Sequence, residues 1–375
     1  MNATKDTQRI LFIHNKAINY RLPLFKKLSI CKNIIFCFTR ENSNIDIDKL
    51  NFKGTSLNLG INVSFLKHFQ KYIKILFTYD FDIIISGDPY LFETQIAFIV
   101  SRFRKKTFVL FSEEWIIGSS LKRRLASPIL NYIVKHSDAC VVPGFRHKNH
   151  LIEMGASSEK IFIAPNASYT GNFEINKEMI EKTRNSLGVG KKNIILYMGR
   201  IVEYKGLEYL LRAFKKIEEK FEDSLLLIAG TGNNELKMKR LSEELGIKNV
   251  CFYGWVDEET KKEFFEMADL VVLPSIYHKA AEAWGLVLNE AMYHSKPVIT
   301  TNMVGAAYSL VKHGINGYIV KEKDINELCN AIEKIIYNPE LKKQMGSKSK
   351  EIIKFEYNYE NQANGFIKAI DYSTE

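Results

Sequence analysis

Short apolar runs alternate with amphipathic stretches along the whole chain. Such runs are typical of strands covered on both faces, and apolar residues at i, i+3 and i+4 are typical of helices packed against them. In the first half, the predicted strands are Ile10–Ile13, Ile34–Thr39, Ile83–Ser86, Thr107–Phe111 and Ala139–Val142. The predicted helices include Pro23–Ser29, Phe65–Phe77 and Leu121–Lys135.

The second half repeats this alternation. Its predicted strands are Ile194–Met198, Leu225–Ala229, Val250–Tyr253, Leu270–Leu273 and Pro297–Thr300. Its predicted helices include Leu207–Lys220, Leu236–Leu245, Glu259–Met267 and Leu286–Tyr293. Buried strands connected by helices form parallel sheets, so each half is predicted to be an α/β, Rossmann-like domain with a doubly wound parallel sheet.

The domain boundaries follow from length and from one polar stretch. A chain of 375 residues favours two domains, and a polar segment around Gly171 separates the two alternating regions. We therefore predict an N-terminal domain in residues 1–168, a linker in 169–190 and a C-terminal domain in 191–356. A last helix in residues 357–375 is predicted to cross back to the N-terminal domain. Two such domains would face each other across a ligand cleft at the carboxyl ends of their strands.

Composition excludes several classes of protein. With 26% charged and 12% aromatic residues, the chain is neither disordered nor collagenous. The longest apolar stretch, residues 81–100, is interrupted by Asp82, Asp88, Pro89 and Glu93, so no membrane span is predicted. The five cysteines form no Cys-x-x-Cys pair, and the start lacks a signal-peptide pattern. We therefore expect a cytoplasmic protein with reduced thiols.

The positive charge is confined to the first half. Residues 1–170 hold 24 Lys and Arg against 13 Asp and Glu, whereas the rest holds 29 against 30. The aromatic residues follow core periodicity and no nucleic-acid motif is present, so we expect no nucleic-acid partner. Taken together, the excess favours an anionic membrane surface as the partner, and the alternative for each single cluster is the solvated outer face of a helix. The basic clusters are Lys67, Lys71 and Lys74, then Arg102, Arg104, Lys105 and Lys106, then Lys122, Arg123 and Arg124.

Neither half has a known phosphate-binding fingerprint. Gly230 and Gly232 follow a predicted strand, but Glu235 occupies the third glycine position, and no P-loop string occurs. Two Asp-x-Asp strings resemble metal–diphosphate ligands. One, at residues 46–48, lies in a polar loop, and the other, at residues 80–82, precedes a strand at the wrong edge for a site. We therefore predict no metal site.

The first candidate site is a loop after a predicted strand. Gly199 ends the strand, and Arg200 and Lys205 follow before the next helix. The loop brings both cations to the predicted cleft. Arginine offers a planar fork and lysine a point charge, a combination suited to a diphosphate. Two solvated cations on an ordinary loop are the alternative.

The second candidate site surrounds the start of a predicted helix. Glu282 precedes the helix, Gly285 begins it, and Glu290 lies inside it. The N–H groups of Gly285, Leu286 and Val287 would face a phosphate, with support from the helix dipole. Glu290 lies about 7 Å along the axis from the helix start. Carboxylates at both ends would accept hydrogen bonds from sugar hydroxyls.

Together these stretches resemble the retaining glycosyltransferases of family 4, whose two-Rossmann architecture is called GT-B. The first half resembles that family only in layout, whereas the matching motifs cover most of the second half. The motifs are Gly-Arg-x4-Lys-Gly at 199–206, Pro-Ser at 274–275, Glu-x7-Glu at 282–290, Lys-Pro-Val-Ile at 296–299 and Asn-Gly-Tyr at 316–318.

The resemblance implies a role for each matching position. Arg200 and Lys205 would bind the donor diphosphate and stabilise its charge as it leaves, Glu282 would hold the transferred sugar, and Glu290 the ribose. The reaction would retain anomeric configuration with a nucleotide-diphosphate sugar as co-substrate, and would need no metal or other cofactor. The further donor-binding residues that it implies are Gly199, Gly285, Leu286 and Val287.

The chain departs from the family pattern at three places. The loop at 276–281 is longer than usual, and the Gly-Gly loop that ends in Glu in many members is absent at 304–309. The first strand is followed by 14–25 instead of a glycine-rich loop. This segment is similar to the Tyr-Arg-x-Pro-Leu-Phe opening of some bacterial cell-surface members, which implies that Arg21 points towards the acceptor.

The resemblance also implies polar acceptor-side residues at the ends of two strands of the first half, here the predicted strands Ile83–Ser86 and Thr107–Phe111. Asp88 follows one strand, and Glu113 and Glu114 follow the other. Adjacent carboxylates are costly unless they are exposed or paired, so we favour Glu113 or Glu114 as the partner of an acceptor hydroxyl. His147 and His150, on a predicted helix, are expected at the surface.

The leading interpretation is a transferase that builds cell-surface polysaccharide or glycolipid. It would be cytoplasmic and peripheral on the inner face of the cell membrane, with a nucleotide sugar, a glycan or lipid-linked acceptor and the membrane as partners. A nucleotide-sugar epimerase or hydrolase of the same fold is the first alternative. A non-catalytic nucleotide-sugar-binding protein and a nucleic-acid-binding protein are the others.

Overall fold

A computed structural model describes residues 8–40, 52–56, 65–116, 118, 121–168, 177–190 and 192–375. The chain forms two compact units. Unit 1 consists of Met1–Ala167 and Asn358–Glu375, and unit 2 consists of Ser168–Tyr357. In the described part of the chain, no helix has the length and apolar content that a membrane-spanning helix needs.

Unit 1 is built on a seven-stranded parallel sheet in the order β3-β2-β1-β4-β5-β6-β7. The order reverses between β1 and β4, so these two strands flank the switch point. Its strands are β1 (Arg9–His14), β2 (Asn33–Phe38), β3 (Gly54–Ser56), β4 (Ile83–Ser86), β5 (Thr107–Phe111), β6 (Ala139–Val142) and β7 (Ile161–Ile163). Its helices are α1 (Leu22–Cys31), α2 (Phe65–Thr78), α3 (Phe92–Phe103), α4 (Leu121–His136), α5 (Phe145–Glu153) and α14 (Tyr359–Tyr372).

Two helical layers cover the sheet of unit 1. Helices α2 to α5 contribute to the core on one face. Helices α1 and α14 contribute to the core on the other. Phe366 of α14 lies between Phe12 of β1 and Phe111 of β5, with ring centroids 5.6 and 5.0 Å away. The last helix of the chain therefore completes the core of the first unit.

Unit 2 has a six-stranded parallel sheet in the order β10-β9-β8-β11-β12-β13, which reverses between β8 and β11. Its strands are β8 (Asn193–Met198), β9 (Ser224–Ala229), β10 (Val250–Gly254), β11 (Leu270–Leu273), β12 (Val298–Thr301) and β13 (Gly317–Val320). Its helices are α6 (Lys177–Ser186), α7 (Leu207–Lys220), α8 (Glu235–Glu244), α9 (Glu258–Met267), α10 (Leu286–Tyr293), α11 (Ala307–Leu310), α12 (Ile325–Ile336) and α13 (Pro339–Phe355).

These two sheets confirm the predicted fold class of two doubly wound parallel sheets. Part of the stretch predicted as a linker, residues 169–190, forms helix α6, and Ile180 and Leu187 pack against the core of unit 2. The sequence is highly charged there, so apolar periodicity is weak. The five cysteines are free thiols.

The prediction that His147 and His150 lie at the surface is wrong. Both are buried, together with Leu151, whereas Phe145 on the same helix is exposed. Residues 147, 150 and 151 share the inner face of α5 at i, i+3 and i+4, so the position of the helix overrides side-chain polarity.

Candidate active site

The loops at the switch point of unit 2 contact each other through their backbones. A short 3-10 turn, Glu203–Lys205, follows β8, and the Pro274–Ile276 segment follows the neighbouring strand β11. Ile276 N donates to Tyr204 O at 2.8 Å. Gly206 has φ +67°, and a Cβ there would lie 2.0 Å from Pro274 O. Only glycine permits this close approach, which sets the position of Lys205.

Lys205 and Glu282 form an ion pair at the centre of this edge. Lys205 Nζ lies 2.5 Å from Glu282 Oε2, and their side chains are 11% and 13% exposed. Ser275 Oγ donates to the same carboxylate oxygen at 3.5 Å. The structure therefore brings together two residues that the sequence placed in separate candidate sites. The charges are largely shielded from water, which strengthens their interaction with a ligand.

The segment after β12 supports Glu282 through its backbone. Gly305 N donates to Glu282 O at 2.9 Å, and Ala306 N donates to Trp284 O at 3.2 Å. Trp284 Nε1 donates to Asn289 Oδ1 at 2.8 Å inside the core. This is the segment that departs from the family pattern. Its backbone nevertheless fixes the loop that carries Glu282.

Helix α10 begins directly after this loop and directs its N-terminus to the same edge. Gly285 is the N-cap with φ +93°, and no side chain caps the helix by a hydrogen bond. A Cβ on Gly285 would lie 2.6 Å from Leu273 Cδ2, so the position requires glycine. The first N–H groups of a helix, here those of Leu286 and Val287, have no intrahelical acceptor. Free N–H groups at a helix N-terminus are suited to hydrogen bonds with an anion.

Glu290 has a partner that the sequence did not indicate. Lys261 Nζ, from helix α9, lies 2.8 Å from Glu290 Oε1 and 2.8 Å from Glu258 Oε2. Burial raises the pKa of Glu290 above its usual value, although the Lys261 ammonium opposes this rise. Lys261 lies on a separate helix, and no motif marks it.

Arg200 differs from Lys205 in being exposed. Its Nη2 donates to the hydroxyl of Tyr204 at 2.6 Å. The Tyr204 ring lies between the two cations, with Arg200 Cζ 5.9 Å and Lys205 Nζ 5.6 Å from the ring centroid. Gly199 lies at the start of this loop, where its N–H donates to Ala229 O at 2.9 Å. One cation is therefore fixed in an ion pair and one is available at the surface.

Unit 1 has a cavity of ≈ 290 Å³ at the carboxyl ends of β1, β2, β4 and β5. Its lining is mainly polar. The lining includes His14, Asn15, Thr39, Ser86, Asp88, Tyr90, Thr94 and Glu113. The cavity therefore lies at the switch point of the first sheet, where α/β proteins bind ligands.

Asp88 is a half-buried carboxyl group that lines this cavity. Its Oδ1 accepts hydrogen bonds from Ser112 Oγ at 2.7 Å, Glu113 N at 2.8 Å and Glu114 N at 3.3 Å. None of the residues that the structure describes donates to Oδ2, which leaves one oxygen for a ligand. Burial raises the pKa of Asp88 to about 6, and the Glu113 charge adds to the rise.

Glu113 is held by two side chains from other parts of unit 1. Arg21 Nη2 lies 2.5 Å from its Oε2, and Asn166 Nδ2 donates to its Oε1 at 2.7 Å. Gln362 of α14 then donates to Asn166 Oδ1 at 3.0 Å. Burial acts to raise the pKa of Glu113, but Arg21 and Asn166 together hold that pKa below its usual value. Both carboxylate oxygens already accept strong hydrogen bonds.

Arg21 is buried beneath the cavity. Its guanidinium lies over the ring of Phe111, with Cζ 5.2 Å from the centroid. Nε and Nη1 have no hydrogen-bond partner among the described residues. Arg21 therefore acts as the cation that balances Glu113.

The neighbouring carboxyl group, Glu114, pairs with Arg123 at the start of α4. Burial raises the pKa of Glu114 to about 7, and the charge of Asp88 adds to the rise. On the other side of the cavity, burial and the Arg21 cation lower the pKa of His14 to about 3. His14 Nδ1 donates to Lys16 O at 2.9 Å, which leaves Nε2 of the neutral ring as an acceptor. The sequence did not indicate His14 as a site residue.

Of the two Asp-x-Asp strings, only the one at residues 80–82 lies within the described residues, and it is at the amino end of its strand. Residues 46–48 lie outside the described residues. Asp82 pairs with Arg9 at 3.1 Å at the amino end of β4, and Asp80 pairs with the same arginine. Within the ranges given above, no group of three or more side chains is arranged to hold a metal ion.

Comparison with known proteins shows that part of the chain is similar to one protein family. Residues 179–352 match the family described as glycosyl transferases group 1. The matched region contains both candidate sites of unit 2. An uncharacterized glycosyltransferase of Methanocaldococcus jannaschii is 30% identical over 221 residues, which is 58% of this chain and 55% of that protein. The chain spans about half the length of the curated relatives it matches.

Solved structures resemble the chain over nearly its full length. HepE of Anabaena, in complex with UDP, superposes with a TM-score of 0.78 at 17% identity, and the match covers 97% of this chain and 99% of that one. The lipopolysaccharide outer core galactosyltransferase WaaB has a TM-score of 0.71 at 20% identity, with 97% and 99% coverage. The chain therefore has the two-sheet GT-B fold, and its unit 2 is similar to the glycosyl transferases of group 1.

Proposed function

We propose that this protein is a retaining glycosyltransferase that needs no catalytic metal. It transfers a sugar from a nucleotide-diphosphate sugar to a glycan or lipid-linked acceptor in the synthesis of cell-surface polysaccharide or glycolipid. The observation that carries the proposal is the Lys205–Glu282 ion pair, 2.5 Å long, beside the uncapped N-terminus of α10. Cation, carboxylate and helix N-terminus together match the groups of a sugar diphosphate.

The donor diphosphate binds at the helix N-terminus. The N–H groups of Gly285, Leu286 and Val287 donate to phosphate oxygens, and the helix dipole favours the negative charge. Lys205 supplies a shielded positive charge, and exposed Arg200 closes on the outer phosphate. Charge that develops on the leaving diphosphate meets cations that are already in position, which lowers the barrier.

The two carboxylates recognise the neutral parts of the donor. Glu282 accepts hydrogen bonds from hydroxyls of the transferred sugar while it holds Lys205, and Glu290 accepts hydrogen bonds from the ribose. The raised pKa of Glu290 reflects burial without a full set of polar partners, which a ribose would supply. Lys261 holds Glu290 in place until the donor binds.

The reaction exchanges one glycosidic bond for another. The bond between the anomeric carbon and the diphosphate oxygen breaks, and the diphosphate leaves with the electron pair. The acceptor hydroxyl attacks from the same face, so configuration is retained. Its proton passes to an oxygen of the departing diphosphate, and no oxidant or metal is required.

The cavity of unit 1 is proposed to bind the acceptor. Of the three carboxyl groups predicted on the acceptor side, Asp88 has an oxygen that accepts no hydrogen bond from a described residue. Both oxygens of Glu113 already accept one, and Glu114 is paired with Arg123. The geometry therefore favours Asp88 over Glu113 and Glu114 as the partner of an acceptor hydroxyl. Arg21 serves this site indirectly, through Glu113.

The similar structures suggest which donors to test first. HepE of Anabaena binds UDP and UDP-glucose in its crystal structures, and WaaB is a galactosyltransferase of the lipopolysaccharide outer core. Uridine-diphosphate sugars are therefore the first donors to be tried.

The test is a screen of nucleotide sugars by thermal shift, followed by incubation with lipid-diphosphate-sugar acceptors and mass analysis. A donor at 100 times its dissociation constant should stabilise the protein by about 2.7 kcal/mol. The product should gain one sugar, and NMR should show the anomeric configuration of the donor. Free sugar without an acceptor product would indicate a hydrolase, and an altered donor would indicate an epimerase. No shift with any nucleotide sugar would reject the proposal.

A further inference from the structure

One face of unit 1 carries three neighbouring helices, α2, α3 and α4, here called the basic–apolar face. Their inner residues belong to one core. The ring centroids of Phe77 on α2 and Phe103 on α3 are 6.3 Å apart, and those of Phe98 on α3 and Tyr132 on α4 are 6.2 Å apart. The three helices therefore form a continuous layer.

The outer side of this layer exposes large apolar side chains. On α4, the exposed residues recur with helical spacing, so they form a row along one side of the helix. Contiguous apolar surface of this kind marks an interaction site, whereas scattered single residues do not. The exposed residues are Leu66 and Phe77 on α2, Ile99 and Phe103 on α3, and Leu121, Leu125, Ile129 and Tyr132 on α4.

The charge on the same helices has one sign. Their sequences contain eight Lys and Arg residues and one acidic residue, Glu93. Glu93 lies 3.3 Å from His68 and is largely buried, so no carboxylate is exposed on the described part of these helices. The exposed basic residues include Lys67, Lys71, Lys74, Arg124 and Lys135.

We propose that the basic–apolar face docks on the surface of an anionic phospholipid bilayer. Amphipathic helices of this type bury large apolar side chains at the boundary between headgroups and acyl chains, while lysines and arginines bind the lipid phosphates. A second copy of the chain would present the same positive charge, and the two copies would repel each other. A nucleic acid would leave the apolar row exposed to water.

The apolar row begins next to the cavity of unit 1. Helix α4 starts at Leu121, and Arg123 in its first turn lies 4.2 Å from the ring centroid of Tyr90, which lines the cavity. Docking holds this end of α4 at the bilayer surface, where a lipid-linked acceptor presents its head group. This link between surface and cavity rests on the proposed function, whereas the docking does not.

The experiment is vesicle flotation of the full chain without any donor. One set of vesicles contains phosphatidylcholine alone, and in the other a third of the lipid is phosphatidylglycerol. We expect binding to the second set, weak binding to the first, and release by raised salt, because salt screens charges at a membrane surface.

A matched pair of variants locates the surface. Leu125 on α4 is 73% exposed and Leu236 on α8 of unit 2 is 71% exposed, so either can be replaced without loss of core packing. Leu125→Glu should weaken binding by about tenfold or more, because a buried leucine contributes about 1.5–3 kcal/mol of transfer free energy. Leu236→Glu should bind as the parent chain does.

A second pair of variants tests the contribution of positive charge to binding, and both variants change the net charge of the protein by the same amount. Reversing the charge of three lysines on α2 should weaken vesicle binding more than reversing the charge of three exposed lysines on unit 2. The reason is that each cation at a membrane surface contributes a factor of about five to the affinity. The two triple variants are K67E/K71E/K74E and K237E/K343E/K350E. Circular dichroism checks that every variant is folded.

Two results would overturn the proposal. One is binding that is equal for both leucine variants or indifferent to lipid charge. The other is absence of lipid binding together with a dimer that Leu125→Glu dissociates, which would assign the face to a second copy. Because flotation needs no turnover, an inactive protein that still binds vesicles would reject the proposed function and leave the docking intact.

Discussion

The carboxyl edges of the two sheets share a topology and differ in charge. At the edge of unit 2, Lys205 pairs with Glu282 close to the N-terminus of α10, and Arg200 is exposed on the same loop as Lys205. At the edge of unit 1, Asp88, Glu113 and Glu114 converge, and buried or half-buried arginines balance two of them. We propose that the first edge binds the donor diphosphate and that the second binds hydroxyls of the acceptor.

The difference lies in how each edge is held. The loops of unit 2 are fixed locally, by glycines and backbone hydrogen bonds between neighbouring strand ends. The polar network of unit 1 depends on residues far apart in the chain, since Gln362 reaches Asn166 and Asn166 reaches Glu113. The carboxyl edge of a parallel sheet can therefore be held by contacts between neighbouring loops, as in unit 2, or by polar contacts between residues distant in sequence, as in unit 1. Mutations at the two edges should therefore differ in their effects on activity and stability.

The largest effect is expected at the cationic edge. Lys205→Ala should lower kcat by about 10²–10³, because a preorganised charge at the leaving diphosphate is removed. Lys342, which pairs with Asp269 at 2.7 Å at the amino edge of the same sheet, provides the matched control. Lys342→Ala should leave kcat unchanged. Steady-state kinetics with the selected donor measures both, and equal activity of Lys205→Ala and the parent would contradict the assigned role.

A smaller effect on activity is expected at Asp88. Asp88→Asn should lower activity by about 10–100-fold, because the amide nitrogen that replaces Oδ2 cannot accept a hydrogen bond from the acceptor. The activity of the parent should also fall as the pH decreases through about 6, where the carboxyl group becomes protonated. The activity of Asp88→Asn should not show this fall near pH 6. As a control, Asp138→Asn, at the amino edge, should keep full activity.

The same substitution, Asp88→Asn, should raise the free energy of unfolding although it lowers activity. Burial raises the pKa of Asp88 from 3.8 to about 6, so the folded state binds the proton more tightly than the unfolded state. The ionised group therefore costs stability above pH 6, and stability falls as the pH rises from about 4 to 6. Asp88→Asn should raise stability at neutral pH by about 3 kcal/mol. A thermal melt at pH 7 with an unchanged or lower Tm would contradict the burial argument.

The smallest effect tests the long-range network. Gln362→Ala removes the hydrogen bond to Asn166 and should cost about 1–2 kcal/mol in unfolding free energy, because both groups are buried. Gln344, which donates to Glu340 on the exposed side of α13, is the control, and Gln344→Ala should cost less than about 0.5 kcal/mol. Urea unfolding of both variants, monitored by hydrogen exchange in unit 1, measures the loss of unfolding free energy that each substitution causes. Equal losses would mean that the network contributes nothing beyond a surface contact.

Local pattern was sufficient to predict much of the fold. The strand Ile83–Ser86 is apolar except for its last residue and is buried along its whole length, so its burial follows largely from the sequence. The polarity of His147 and His150 predicts that they lie at the surface, but both occupy inner positions of helix α5. Helix α6 was taken for part of a linker, because a charged sequence packs only two apolar residues against unit 2.

Site residues were predictable where a strand end fixes them. Lys205 and Glu282 follow neighbouring strands, so their proximity could be expected from topology. Lys261, Asn166 and Gln362 could not be found in this way. Each reaches its partner through the packing of a helix or loop from elsewhere in the chain, and a single sequence carries no signal for that convergence.

Helix α14 sets the order in which the chain can fold during synthesis. Unit 2 is continuous from Ser168 to Tyr357, so it can fold as soon as its own residues have left the ribosome. Unit 1 begins first but lacks the cover for Phe12 and Phe111 until Phe366 arrives. The first half of the nascent chain thus exposes an apolar face while the second half is translated, and a face of this kind is prone to aggregation until α14 covers it.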